Sequence, residues 1–153
     1  MAALGGVLTG KGGMTWFRSL RRPRFQIPLK AFFAVAAFVY VFYGIVLYRL
    51  IALDLSTRSR IVCLVAVGVA MLYSELWNYL FFGRRSTLAG LVGIVGFVPI
   101  LLVVETSLFL LEPLSALILL PYAAYFVLYD IPWATRLWKL NPQPPTPRSG
   151  IVE

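Results

Sequence analysis

Four long runs of apolar residues dominate the pattern along the chain, at about 31–53, 61–82, 88–111 and 114–133. A helix needs roughly 20 apolar residues to cross about 30 Å of hydrocarbon, so each run predicts a transmembrane helix. The polar breaks between the runs are short and read DLSTRSR, GRRST and EP. Short connections place consecutive helices side by side and antiparallel. The pattern therefore predicts an all-α integral membrane protein, a single four-helix bundle within residues 1–141.

Two segments outside the runs differ in character. Residues 142–153 are polar and rich in proline, which predicts a disordered tail. Residues 16–28, WFRSLRRPRFQIP, combine basic, aromatic and proline residues directly before the first run. Such a stretch fits the start of a signal peptide, a basic arm for nucleic acid or lipid, or a lid over a pocket. The first span is longer than a signal-peptide core, which disfavours the first interpretation.

Composition supports the membrane prediction and limits the partners. The chain is 60% hydrophobic with a mean hydropathy of +0.84 and only 13% charged residues, which excludes an ordinary soluble domain. The net charge is +8, but lysine and arginine next to apolar spans report orientation in the membrane more often than nucleic-acid binding. We therefore expect contact with membrane lipid and no nucleic-acid partner.

The distribution of basic residues predicts the orientation. Four spans put both termini on one side, which would hold most of the lysines and arginines, whereas the other side holds Arg49, Arg58 and Arg60. Because basic residues concentrate on the cytoplasmic side, we expect both termini in the cytoplasm and the protein in the plasma membrane. The residues on the terminal side are Lys11, Arg18, Arg21, Arg22, Arg24, Lys30, Arg84, Arg85, Arg136, Lys139 and Arg148.

Few side chains in the spans offer chemistry. The chain has one cysteine, Cys63, and no histidine, which excludes an internal disulfide and the common zinc and haem ligand sets. Ionisable residues inside spans are costly and are candidates for function, here Glu75, Glu105 and Asp130. Glu75 shares a helix face with Asn78. It fits either a polar contact between helices or proton coupling in a small exporter.

Small residues and prolines suggest how the helices pack. Gly90, Gly93 and Gly96 form a ridge on the third predicted helix that suits close helix contact. Packing within the bundle is the simpler interpretation of this ridge, and we also expect a homodimer that forms through it. Pro99 and Pro121 fall inside helices and should loosen them, which can leave a cavity.

Several motifs together resemble the TspO/MBR family, which includes the tryptophan-rich sensory proteins and the mitochondrial translocator proteins. WFRSLRRPRFQIP is similar to the family segment W-[YF]-x-x-L-x-x-P-x-[WF]-x-P-P, with Ile27 in place of one proline. Tyr40 and Gly44 fit L-Y-x-x-x-G, and WNYLFFG at 77–83 fits W-x-x-x-F-F-G. PLSALILLPYAAY at 113–125 and RLWKLN at 136–141 resemble the closing motifs. The motifs occur in the family order and cover about 16–141.

The resemblance implies a ligand cavity inside the bundle, roofed by residues 16–28. The implied ligand is a porphyrin or other tetrapyrrole, or a sterol-like lipid, which the protein would transport or sense without enzymatic turnover. No other cofactor and no metal is expected. The arginines of the roof would hold lipid headgroups or ligand carboxylates. The implied ligand-binding residues are Trp16, Phe25, Tyr40, Ser74, Trp77, Phe81, Tyr122 and Tyr125.

The chain also departs from the family pattern. Where the pattern has Trp, Gln, Asn and Trp in the cavity, this sequence has Ala36, Ala70, Ser74 and Tyr125, so we expect a smaller cavity with fewer indoles. Family members have five spans, and the first precedes the roof segment. This chain is expected to be either a four-helix variant or a sequence whose first helix is encoded upstream. A proton-coupled exporter using Glu75 and an assembly subunit of a larger membrane complex remain alternative functions.

Overall fold

The computed structural model describes residues 12–142, and all its regular elements are helical. In chain order these are α1 (Gly13–Ser19), α2 (Leu29–Ala52), α3 (Thr57–Asn78), α4 (Thr87–Leu111), α5 (Pro113–Tyr125) and α6 (Ile131–Leu140). A π-helical turn, Tyr79–Gly83, extends α3, and a second one, Phe126–Asp130, joins α5 to α6. The predicted all-α fold is confirmed.

The described elements form four continuous helical rods that are long and apolar enough to cross a membrane. They are Leu29–Ala52, Thr57–Gly83, Thr87–Leu111 and Pro113–Leu140. They correspond to the four predicted spans. The apolar run ends at residue 133, but the last rod stays helical through Arg136 and Lys139. The predicted disordered tail lies outside the described residues from 143 onward.

The four rods form a closed ring in which α2 contacts both α3 and α5, α3 contacts α4, and α4 contacts α5 and α6. The half of the ring near Glu112 is densely packed. Its core includes Val46, Leu50, Val104 and Leu108, each with 0% of its surface exposed. In the other half, none of the α2 residues before Tyr43 is buried, which shows that this part of α2 is packed more loosely. Space between the helices is therefore expected in that second half.

An ion pair closes the dense end of the bundle. Arg49, in the last turn of α2, donates to Glu112 Oε1 over 2.8 Å. Glu112 is the N-cap of α5, and its side chain accepts from the Ser115 backbone N–H over 2.7 Å, which caps the first turn of the helix. Burial alone would raise the pKa of Glu112, but the bonds from Arg49 and Ser115 outweigh it and lower that pKa below the ordinary value.

We expect this pair to make the stability of the protein acid-sensitive. Because the pKa of Glu112 is lower in the folded state, its contribution is present above the ordinary value of 4.5 and is lost as the pH falls through the folded-state pKa. The melting midpoint in detergent should therefore drop in acid. Glu112→Gln should melt lower at about pH 7 and lose part of that acid dependence. Equal acid dependence in the two proteins would contradict this role.

The opposite end of the bundle, called the basic end here, carries Arg18, Arg21, Arg22, Arg84 and Arg136. Residues 12–28 lie across this end. They include the segment 16–28 that is expected to roof the cavity, and the whole stretch 12–28 is called the roof below. Phe17 is 2% exposed, and its ring packs against those of Phe81, Phe82 and Trp133.

The roof is also bonded to the last rod at three places. The Ile27 N–H donates to the hydroxyl of Tyr129 over 3.0 Å, and Trp133 Nε1 donates to Gln26 Oε1 over 3.4 Å. The Asn141 side chain accepts from the Arg21 N–H over 2.9 Å and donates to the Arg21 carbonyl over 2.8 Å. The roof is therefore an ordered part of the fold, held by aromatic contacts with the π-turn after α3 and by hydrogen bonds to the last rod and its C-cap, Asn141.

The glycine ridge of α4 is covered by α3 of the same chain. Gly90 faces the ring of Phe81, Gly93 faces Trp77, and Gly96 faces the hydroxyl of Tyr73. Trp77 Nε1 donates to the Gly90 carbonyl over 3.0 Å, a contact that needs the close approach that glycine allows. The expected homodimer interface on this ridge is therefore wrong, because α3 of the same chain already covers the ridge. A second copy of the chain would have to bind elsewhere.

Candidate functional site

A cavity of about 160 Å³ lies between the four rods, in the loosely packed half near the basic end. Every rod contributes to its wall, and ten of the nineteen lining residues are aromatic. The side from α2 includes Phe32, Ala36, Tyr40 and Tyr43. Such a wall is apolar and flat-faced, as in sites for small organic molecules.

Local sequence explains why space remains here. Val35, Ala36 and Val39 give α2 short side chains on the cavity face. On α4, Gly93 has no side chain, so the indole of Trp77 rests against its backbone. The space left beside the short side chains of α2 stays open, whereas the space at Gly93 is filled by the indole.

The π-helical turn Phe126–Asp130 shapes the last side of the wall. In a regular α-helix, residues five apart point about 140° away from each other. A π-turn widens the helix and brings such residues closer to one face. Tyr125 and Asp130 both line the cavity as a result. Pro132, which has no N–H to donate, follows directly, and a wider turn accommodates it.

Glu75 lies just behind the wall and is 4% exposed. The hydroxyl of Tyr40 donates to its Oε1, and Asn78 Nδ2 donates to its Oε2 over 3.3 Å. Both donors line the cavity, and Tyr40 comes from the neighbouring helix. Glu75 therefore ties α2 to α3 and fixes two side chains of the wall, as the interpretation of a polar contact between helices requires.

Two hydroxyls in the wall are buried without a hydrogen bond of ordinary geometry to any described residue, those of Tyr43 and Tyr125. Tyr43 is 1% exposed, and its ring lies 5.9 Å from that of Tyr122 between centroids. A buried hydroxyl left unpaired costs about 1–3 kcal/mol. The Tyr125 hydroxyl lies beside the Asp130 carboxylate and the Tyr43 hydroxyl beside that of Tyr122, so the polar groups of the wall are next to one another.

Of the eight residues expected to bind ligand, the structure brings five into the wall: Tyr40, Ser74, Trp77, Tyr122 and Tyr125. The other three lie outside it. Phe81 stacks on Trp77 with centroids 5.1 Å apart, and Trp16 packs its edge on Phe81 at 5.3 Å. Phe25 is 47% exposed and contacts Tyr129. Phe81 and Trp16 thus support the indole of Trp77 from behind.

Sequence reasoning did not place Tyr43, Tyr73, Phe97, Asp130 and Trp133 in the wall, where the structure has them. Helical spacing could have indicated three of them. Tyr43 follows Tyr40 by three residues, Tyr73 precedes Trp77 by four, and Phe97 follows Gly93 by four, so each pair shares a face. Asp130 and Trp133 depend on the π-turn, which the hydropathy pattern does not show.

Comparison with known proteins agrees with this architecture. A family model described as the TspO/MBR family matches residues 1–139. The chain belongs to the TspO/MBR family. It is 28% identical over 123 residues to the tryptophan-rich protein TspO of Archaeoglobus fulgidus, covering 80% of this chain and 78% of that relative. With its four apolar rods, this family member is an integral membrane protein.

Departures from the TspO/MBR pattern coincide with the cavity. Ala36, Ser74 and Tyr125, which stand in place of larger or different residues of the pattern, all line it. Ala70, the fourth departure, is fully buried, and its carbonyl accepts from the Ser74 hydroxyl over 3.0 Å. The substitutions of this TspO/MBR protein therefore change the chemistry of the cavity wall.

Proposed function

We propose that this TspO/MBR protein binds a small, flat, largely apolar molecule in the cavity, for transport or sensing and without turnover. The observation that carries the proposal is the wall itself, in which aromatic faces surround a space with a few polar groups. Aromatic rings bind flat ligands by stacking or by edge contact, and a few hydroxyls orient them. Trp77, Tyr122 and Tyr125 supply the faces, while Tyr40 and Ser74 supply hydroxyls.

The size of the cavity narrows the ligand class. At about 160 Å³ it is close to the roughly 150 Å³ that encloses benzene, and well below the roughly 300–1,000 Å³ of sites for drug-sized ligands. It therefore encloses one or two rings. A porphyrin or sterol, the class that the family resemblance implies, would enter by one edge and extend along the loosely packed half of α2.

We place the protein in the plasma membrane with the basic end in the cytoplasm. That end carries the exposed arginines of the roof, and basic residues concentrate on the cytoplasmic side of membrane proteins. Anionic lipid headgroups are suitable partners for these arginines.

Binding can be measured through the tryptophans. Protoporphyrin added to the protein in nanodiscs is expected to quench tryptophan fluorescence to saturation. Trp77→Phe should weaken its binding several-fold, since a stacking face of the wall becomes smaller. Trp138→Phe is the matched control, because Trp138 is a tryptophan of the last rod that does not line the cavity. Quenching that never saturates, or equal affinity in both variants, would count against the proposal.

A proton-coupled exporter is the second candidate, because Glu75 is a buried carboxylate next to the cavity. Glu75→Gln separates the two functions, since glutamine can still accept from Tyr40 but cannot release a proton. An exporter would lose transport driven by a pH gradient in vesicles, whereas a binding protein would show no transport that depends on the gradient and would still bind protoporphyrin to saturation.

A further inference from the structure

The charges around the cavity are of one sign. Asp130 lies in the wall, and Glu75 stands directly behind it. Among the described residues, no lysine or arginine lines the cavity, and the single ion pair, Arg49 with Glu112, is at the far end of the bundle. The hydrogen bonds that Glu75 accepts come from neutral groups, the Tyr40 hydroxyl and the Asn78 amide. Both carboxylates thus lack a counterion within the described residues.

The aromatic rings of the wall also favour a positively charged ligand. The face of a tyrosine or tryptophan ring is electronegative and attracts cations, most strongly where water is excluded. Tyr40, Tyr43, Tyr122 and Tyr125 line the cavity together with Trp77. Their rings surround the space on three of the four rods, which resembles the aromatic cages that hold quaternary ammonium groups.

The hydroxyl of Tyr43 points to a ligand independently of the carboxylates. It is 1% exposed, belongs to the cavity wall, and makes no hydrogen bond of ordinary geometry within the described part of the chain. Native structures rarely leave a buried hydroxyl unsatisfied. The Tyr122 hydroxyl lies next to it, and a polar or charged group on a bound molecule would provide a partner of better geometry.

We propose that the ligand of this cavity is an organic cation, a flat one- or two-ring aromatic system with a quaternary or protonated nitrogen, whose charge lies beside Asp130. The inference rests on the proposed function, since the same cavity holds the molecule. The rings of the ligand stack against Trp77 and the tyrosines, and its nitrogen takes the position of the absent counterion.

Electrostatics then sets the order of ligand affinity. A buried charge is costly unless it is paired, so a cation relieves the cost of an ionised Asp130, and a neutral ligand does not. An anion whose charge lies inside the cavity meets two carboxylates and is repelled, whereas a porphyrin that enters by one edge keeps its carboxylates outside. The roof arginines are exposed to water and salt, so their effect on a charge inside the cavity is screened.

Three probes of nearly equal shape test this order: N-methylquinolinium as the cation, 1-methylnaphthalene as the neutral compound and 1-naphthoate as the anion. Binding is measured by tryptophan fluorescence with the full chain in nanodiscs of zwitterionic lipid, after subtraction of empty nanodiscs. We expect the cation to bind on the order of tenfold more tightly than the neutral probe, and the anion to bind most weakly.

Asp130→Asn is expected to remove the advantage of the cation over the neutral probe. Asp54→Asn is the matched control, because Asp54 is an exposed aspartate in the loop between α2 and α3. Glu75→Gln should weaken the binding of the cation several-fold. The effect should be smaller than that of Asp130→Asn, because Glu75 lies behind the wall. If Asp130→Asn does not fold, the relative affinities of the three probes for the unmodified protein and for Glu75→Gln still test the proposal.

The outcomes separate the two proposals. Equal affinity for cation and neutral probe in the unmodified protein, or full retention of the preference in Asp130→Asn, would overturn the cation proposal and leave the apolar cavity in place. Failure of all three probes to bind would overturn the proposed function as well. Tighter binding of 1-naphthoate would show that the roof arginines, and not Asp130, select the ligand.

Discussion

Replacing Gly90 with alanine is expected to lower the melting midpoint of the purified protein and to change the fluorescence of Trp77. A β-carbon at this position would overlap Cδ2 of the Phe81 ring and lie 3.2 Å from its Cγ. Phe81 cannot move away easily, because it is 1% exposed and its ring contacts those of Trp16, Phe17 and Trp133. Forcing extra volume into a packed core typically costs about 1–3 kcal/mol.

Gly44→Ala is the matched control for this prediction. A β-carbon at Gly44 meets nothing within 4 Å, and alanine is favoured over glycine inside a helix by about 0.5–1 kcal/mol. Circular dichroism melts and light scattering are measured on both variants. If Gly90→Ala kept the melting midpoint and changed the molar mass instead, the ridge would be an interface between copies, and the packing described above would be wrong.

Truncation of Trp133 to alanine is expected to have the largest effect on both stability and binding. The indole is 2% exposed, forms part of the cavity wall, and packs against Phe17, Phe32 and Phe81. Removal of a buried tryptophan costs about 3–5 kcal/mol in soluble proteins. The lower part of that range is expected here, because unfolded helices of a membrane protein stay in an apolar medium.

The same truncation should enlarge the cavity toward the roof and favour larger ligands. The bond from Trp133 Nε1 to Gln26 is lost, so the roof loses one of its attachments to the last rod. Protoporphyrin should gain affinity relative to a one-ring ligand, and amides of residues 20–28 should exchange hydrogen faster. Trp138→Ala is the control for loss of an indole outside the wall. Unchanged ligand preference in Trp133→Ala would show that the indole does not limit the cavity.

The sequence was sufficient to predict the spans, because each apolar run is long enough to cross the membrane and the connections are short. Helical spacing likewise agrees with the inner face of α3, since Cys63, Val67 and Ala70 recur at steps of four and three residues and each is 0% exposed. The partner of the glycine ridge was not predictable. Small residues allow close approach to any helix, and only the three-dimensional packing shows that Trp77 and Phe81 of the same chain occupy the ridge.

The site was predicted in part for a similar reason. Motifs that resemble the TspO/MBR pattern pointed to Tyr40, Trp77 and Tyr122, which do line the cavity. Motif positions cannot show which of two stacked rings faces the ligand, so Phe81 was included although Trp77 separates it from the space. Asp130 was recognised as an unusual charge, but its place in the wall depends on a π-turn that no residue pattern announces.

The bonds between Arg21 and Asn141 join residues 120 positions apart. Proteins are made from the amino terminus, so the roof is synthesised before the four described rods, yet its fastening at Asn141 is synthesised after all of them. During synthesis the Arg21 backbone therefore has no partner at position 141 until the last rod has been made. A tag or truncation that disturbs Asn141 is therefore expected to loosen the attachment of the roof to the last rod.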